Sequence, residues 1–208
     1  LTAGNSTPAP PIAVYRTLHV QVEGGLAQTT LRLLRAPRRF EEENIAHTRA
    51  VIDQFEPDIV MIWGMWNIDR SVPQQIEASL GSRVAYYFCD YWPTLPSAYI
   101  QRFQEGARHA QMQQVKSLIG RYFLPRLAQE TPVPLRFEHP ICVSRAVRDS
   151  LIAGGAAVEH ARIIYGGTAV EEFDIARARF PSSSPDGKSL RLLYMGRLEA
   201  TKGVHTAV

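Results

Sequence analysis

The sequence predicts an α/β protein built on a doubly wound parallel sheet. Three observations carry that prediction: short apolar runs recur along the chain, stretches of helical periodicity separate them, and proline or glycine marks the junctions. With 208 residues, 45% of them apolar and 21% charged, the chain is long enough for one full domain and the start of another.

Taken in order, "IAVYRTLHV" (Ile12 to Val20) is rich in β-branched and aromatic residues and reads as a strand. "NIAHTRAVIDQF" puts Ile45, Thr48, Ile52 and Phe55 on one helical face, and Pro57 ends that helix by biasing Glu56 out of the α region. "IVMIW" (Ile59 to Trp63) and "RVAYYF" (Arg83 to Phe88) are continuous apolar runs, the pattern of strands buried on both faces.

"VKSLIGRYFLPRL" carries Val115, Leu118, Ile119 and Tyr122 at helical spacing until Pro125 interferes. "PICV" (Pro140 to Val143) is a short strand. Ser144 then suits the N-cap of "RAVRDSLIA", with Gly154 or Gly155 as its stop. "ARIIY" (Ala161 to Tyr165) is a last strand before "GGTAVEEF". The proline, serine and glycine of "FPSSSPDGKS" make a linker over 180–189, between a domain at 1–179 and a second α/β domain opening at 190–208.

The net charge is only +3 and the aromatics are not interleaved with lysines, so nucleic acid is not the expected partner. Cys89 and Cys142 both follow apolar runs, which fits small buried residues in a reducing compartment better than a disulfide framework. No apolar run is long enough to span a bilayer and no signal peptide opens the chain, so a cytoplasmic location is expected. "RLLRAPRRF" gathers Arg32, Arg35, Arg38 and Arg39 among leucines and a phenylalanine. It suits peripheral contact with an anionic membrane face, although a solvated basic helix end is the simpler reading because Pro37 breaks the pattern.

In a doubly wound sheet the ligand lies beyond the carboxyl ends of the strands. Four loops fall there, contributing Trp66 and Asn67, then Asp90, Tyr91 and Trp92, then Ser144, then Gly166 and Gly167. Trp66 and Trp92 read equally as edge packing or as ligand contact. Asp90 suits either a cap or a polar contact. In "GRLEATKG", Gly196 permits a tight turn and Arg197 and Lys202 reach toward one anion. A helix opening near Gly203 adds free N–H groups, as a nucleotide diphosphate requires. Alone, that pair is also an ordinary surface pattern. "EGGLA" (Glu23 to Ala27) is a weaker phosphate cradle, for which a simple loop is the safer reading.

Several segments together resemble the family-4 glycosyltransferases, enzymes of GT-B architecture with two facing Rossmann-like domains. The resemblance rests on "CVSRAVRDSLIAGG", "ARIIYGGTAVEEF", the linker and "LLYMGRLEATKG", whose order and spacing agree across Ile141 to Gly203. A weaker likeness reaches back to "LTAG" at Leu1 and to "YYFCDYWP". It implies an enzyme that moves a sugar from a nucleotide-diphosphate donor to a glycan, lipid or small-molecule acceptor with retention. The first domain would hold the acceptor, Arg197 and Lys202 would neutralise the donor diphosphate, and no metal is expected. Cys89 stands where many members have histidine, and "YGGT" replaces their commoner asparagine-glycine-valine turn. The family's glycine-rich first loop and acidic donor motif are not in this sequence, so the chain is expected to be an inactive piece of a longer enzyme. A sugar-nucleotide epimerase or other GT-B enzyme, and a non-catalytic binding domain, remain the alternatives.

Overall fold

A computed structural model of the chain describes residues 14–35, 39–106, 110–129 and 133–167. The chain divides into two compact units, Leu1–Gly166 and Gly167–Val208. The expected linker at 180–189 and the strand after it lie outside the described residues.

In chain order the first unit contains α1 (Leu26–Arg35), α2 (Arg39–Phe55), β1 (Val60–Trp63), α3 (Ser71–Leu80) and β2 (Val84–Phe88). It continues with α4 (Ala98–Gln104), α5 (Ala110–Ala128), β3 (His139–Cys142), α6 (Arg145–Ala153) and β4 (Arg162–Ile163). The four strands form one sheet in the order β1-β2-β3-β4, parallel at every pairing. Strands alternating with helices therefore give the parallel α/β sheet that the sequence implies.

The register explains the core. Ile62, Tyr86 and Pro140 are aligned across three strands, and Phe88 is aligned with Cys142 and Ile163. These positions share one face, where Ile62, Tyr86, Phe88, Cys142 and Ile163 pack with Leu80 of α3 and Val147 and Leu151 of α6. Trp92 and Phe137 close that core: Phe137 meets Tyr86, Phe88 and Trp92 edge-on, and Trp92 meets Tyr86 and Phe88 at a tilt.

The opposite face presents Met61, Trp63, Tyr87 and Ile141, and Met61 and Trp63 are 55% and 62% exposed. Burial of the Ile59–Trp63 run on both faces therefore does not hold among the described residues. Side chains alternate along a strand, and of this run Ile62 is buried in the core with Val60 packed against it.

Other expectations are corrected. Val14–Val20 is irregular and joins no ladder, so the predicted first strand does not form there. Side chains hold its end instead: buried Asn44 accepts from His19 N at 2.7 Å and donates to its carbonyl at 2.8 Å. In α2, Thr48 is buried as expected but Phe55 is exposed. Glu56 does leave the right-handed region before Pro57, with φ 47.

The predicted face of α5 holds at one of its four positions. Its buried stripe is Lys116, Gly120, Phe123 and Leu127; of the predicted residues Ile119 packs against the same cluster, while Val115, Leu118 and Tyr122 face outward. Pro125 stays inside this helix instead of ending it. Phe123 and Leu127 pack with Leu33 of α1 and Phe103 of α4 in a second, smaller cluster. Cys142 is buried as expected, whereas Cys89 is exposed. The last helix follows the sequence closely: the Ser144 hydroxyl accepts from Val147 N at 3.2 Å, and Gly155 takes φ 86 just past Gly154.

Candidate functional site

Gly64 follows β1 with φ 63, a conformation that lets the chain leave the strand end sharply. The loops after β1 and after β2 then border a cavity of about 160 Å³ on the carboxyl side of the sheet. Gln21, Trp66, Asp69, Arg70, Trp92 and Ser97 supply its polar and aromatic walls.

The walls are held by specific bonds. Asp69 Oδ1 accepts from Ser71 N at 2.8 Å, satisfying a free amide at the start of α3. Its Oδ2 accepts from Gln21 Nε2 at 3.1 Å, and Gln21 Oε1 accepts from Ala98 N at 2.9 Å, at the start of α4. Arg70 Nη2 donates to the carbonyls of Leu95 at 2.6 Å and Trp92 at 3.3 Å, tying the two loops together. Burial lowers the Arg70 pKa from its ordinary value, against the neighbouring Asp69 carboxylate, which raises it. Arg70 also borders the cavity.

The expected residues separate into three groups. Trp66 lines the cavity and is 57% exposed, so its indole is available to a ligand. Trp92 touches the same cavity but is only 4% exposed, as an integral part of the core. Asn67 is occupied by the fold: its side chain accepts from Val22 N and donates to Val22 O, both at 2.9 Å. Asp90 Oδ1 accepts from Trp92 N at 3.2 Å, closing a turn, and the Tyr91 carbonyl receives Thr94 and Leu95. Partial desolvation by its surroundings, reinforced by the Asp90 charge, raises the pKa of the exposed Cys89 thiol beside them.

Ser144 is a helix cap. Gly166 and Gly167 stand in open surroundings, and neither takes the left-handed φ that would require glycine. None of the three lines the cavity. Gly196, Arg197, Lys202 and Gly203 lie outside the described residues.

Among the arginines, Arg32 is used internally. It donates to Val20 O and to Glu23, each at 2.6 Å, and lies 4.7 Å from the Phe40 ring centre. Arg39 pairs with Glu43 at 2.8 Å, and that bond raises the arginine pKa and lowers the glutamate's. Arg38 and the Arg35 side chain are outside the described residues. No helix among the described residues is long and apolar enough to cross a membrane.

Gln21, Asp69, Arg70 and Ser97 escaped the sequence reading. Asp69 and Arg70 do stand just before a helix after a strand, a position that could have flagged them; Gln21 is joined to Asp69 only by the fold. Among the described residues no group of three or more histidine, cysteine or acidic side chains is placed to hold a metal ion. No family model, no curated protein and no solved structure matches the chain.

Proposed function

We propose that this chain is the acceptor-side part of a GT-B glycosyltransferase of the family-4 type. In this reading a sugar moves from a nucleotide-diphosphate donor to an acceptor seated beside Trp66, Asp69 and Arg70. One observation carries the proposal: the cavity opens at the carboxyl ends of β1 and β2 in a parallel sheet, where such folds bind ligand. Its chemistry suits a polyhydroxylated acceptor. An exposed indole offers a flat apolar surface, while a carboxylate and a partly desolvated guanidinium offer an acceptor and donors at its edge.

Arg197 and Lys202 would hold the donor diphosphate, stabilising the charge that builds as the sugar leaves. The test uses the longer chain that this reading requires, incubated with a panel of uridine-, guanosine- and adenosine-diphosphate sugars. Nucleoside diphosphate release should depend on an acceptor. Lys202→Ala should lower kcat/KM by about tenfold to a hundredfold, and Trp66→Ala should raise acceptor KM. Absence of transfer with every donor, or unchanged kinetics in both variants, overturns the reading.

A further inference from the structure

Arg70 borders a second cavity as well as the first. This second space, of about 220 Å³, lies between the loop after β2, the stretch leading into β3 and the turn after α6. Pro93, Leu135, Phe137, Ala156 and Ala157 are among its walls, and Arg70 is the one charged residue lining it among the described residues. Arg70 and Val133 stand in the walls of both cavities. The two spaces are therefore neighbours that share a guanidinium.

The charge of Arg70 is not answered within the described residues. Both of its hydrogen bonds leave from Nη2 and end on neutral carbonyls, those of Trp92 and Leu95. Nε and Nη1 have no hydrogen-bond partner there, and no carboxylate forms an ion pair with the side chain. The neighbouring Asp69 carboxylate is spent on Ser71 N and Gln21 Nε2. A half-buried cation has lost part of its hydration and gains when an anion replaces it.

We infer that Arg70 binds an oxyanion, a phosphate or carboxylate, on an acceptor whose apolar group fills the second cavity. The inference rests on the proposed acceptor site for the hydroxylated part of the same molecule, which lies beside Trp66. It makes the acceptor an anionic amphiphile instead of a neutral sugar. The planar fork of a guanidinium matches the paired oxygens of either anion. The walls of the second cavity select the apolar group: prolines, alanines, Leu135 and Phe137 offer no side-chain donor or acceptor, and burying hydroxyls against them costs free energy. A sugar's hydroxyls are better served in the first cavity by Gln21, Asp69 and Ser97. About 150 Å³ is enough for a benzene ring, so the second cavity accepts an aryl group or a short alkyl chain.

The test titrates the 208-residue chain calorimetrically with phenyl phosphate, phenylacetate, inorganic phosphate and benzyl alcohol. The better aryl anion should bind at least about tenfold more tightly than inorganic phosphate, because its ring leaves water. It should exceed benzyl alcohol, which lacks the charge, by a similar factor. Which aryl anion binds better identifies the oxyanion. Arg70→Gln should weaken that anion at least about tenfold and leave benzyl alcohol unchanged. Arg70 also ties two loops together, so Ala157→Leu supplies a second variant: it fills the exposed mouth of the second cavity and should weaken the aryl anion alone. Neither aryl anion exceeding inorganic phosphate, equal binding of benzyl alcohol, or unaltered affinity in Ala157→Leu overturns the inference. Sugar transfer to uncharged acceptors, unchanged in Arg70→Gln, also rejects it while keeping the proposed function. Aryl-anion binding as stated, with no transfer from any donor, rejects the proposed function and keeps Arg70 as an anion site.

Discussion

Gln21 and Asp69, 48 residues apart, meet through a 3.1 Å hydrogen bond that joins an irregular segment to the start of α3. The same glutamine receives the Ala98 amide at 2.9 Å, so one side chain aligns the starts of α3 and α4 around the cavity. Gln21→Ala should leave that buried amide unpaired and cost about 1–3 kcal/mol in urea denaturation. Gln21→Glu keeps an acceptor for Ala98 but sets a second carboxylate against Asp69. Its stability should therefore be poor at neutral pH and recover in acid, where one carboxyl can hold a proton.

A buried carboxylate organises the other side of the core. Glu77 accepts from the Tyr86 hydroxyl at 2.9 Å and from the Arg136 and Phe137 amides at 3.0 and 3.2 Å. Glu77→Ala should cost roughly 3 kcal/mol, because several buried donors lose their partner together. Tyr86→Phe should cost only about 1 kcal/mol, since the two amides still hold the carboxylate.

The Tyr86 hydroxyl also gives a pH signature. Burial first, and then the Glu77 charge, raise its pKa above the ordinary 10.0. The folded chain keeps this proton at pH values where the unfolded chain releases it. Tyr86 therefore contributes fully below pH 10, and that stability declines as pH rises beyond it. Denaturation midpoints from pH 8 upward should fall more steeply for the unmodified chain than for Tyr86→Phe.

A Cβ at Gly154 would stand 2.5 Å from Thr94 Cγ2 and 2.7 Å from Thr94 Cβ. Gly154→Ala should therefore destabilise by about 1–3 kcal/mol through overpacking between the end of α6 and the loop after β2. Thr94→Ser removes Cγ2 but keeps the Cβ at 2.7 Å, so it should restore only part of the loss. Thr94→Gly should relieve the clash, and the coupling is measurable in a double-mutant cycle.

The inward and outward sides of α5 are equally testable. Leu118 is 72% exposed, so Leu118→Glu should change stability by no more than about 0.5 kcal/mol. Phe123, stacked on Phe103 at 5.9 Å, is buried, and Phe123→Ala should cost about 3–5 kcal/mol. Thermal melts of the two variants distinguish the faces directly.

These cases show where the sequence was legible. β1, β2, β3 and α6 follow from local pattern, because an apolar run or a Ser144 cap followed by a glycine stop acts within a few residues. The α5 face could not be read that way. Two apolar stripes compete along it, and the choice fell to Gly120, Phe123 and Leu127, which fit against Phe103 of another helix. The site divided similarly. Trp66 was visible as an aromatic after a strand, but Trp92 and Asn67 have the same residue types in the same setting and serve the core and a loop clamp. Gln21 gains its role only when the chain brings it to Asp69.

The chain's three tryptophans stand in three different environments, at the sheet face, in the cavity wall and inside the core. Intrinsic emission is consequently a composite of distinct reporters. Trp92 should emit at short wavelength and shift red only as the molecule unfolds. Trp66 should be accessible to iodide until something occupies the cavity. Trp63, whose ring lies 4.7 Å from Tyr87, sits at the open end of β1. Single-tryptophan variants would let one optical measurement follow folding, cavity occupancy and the exposed sheet face separately, without any attached dye.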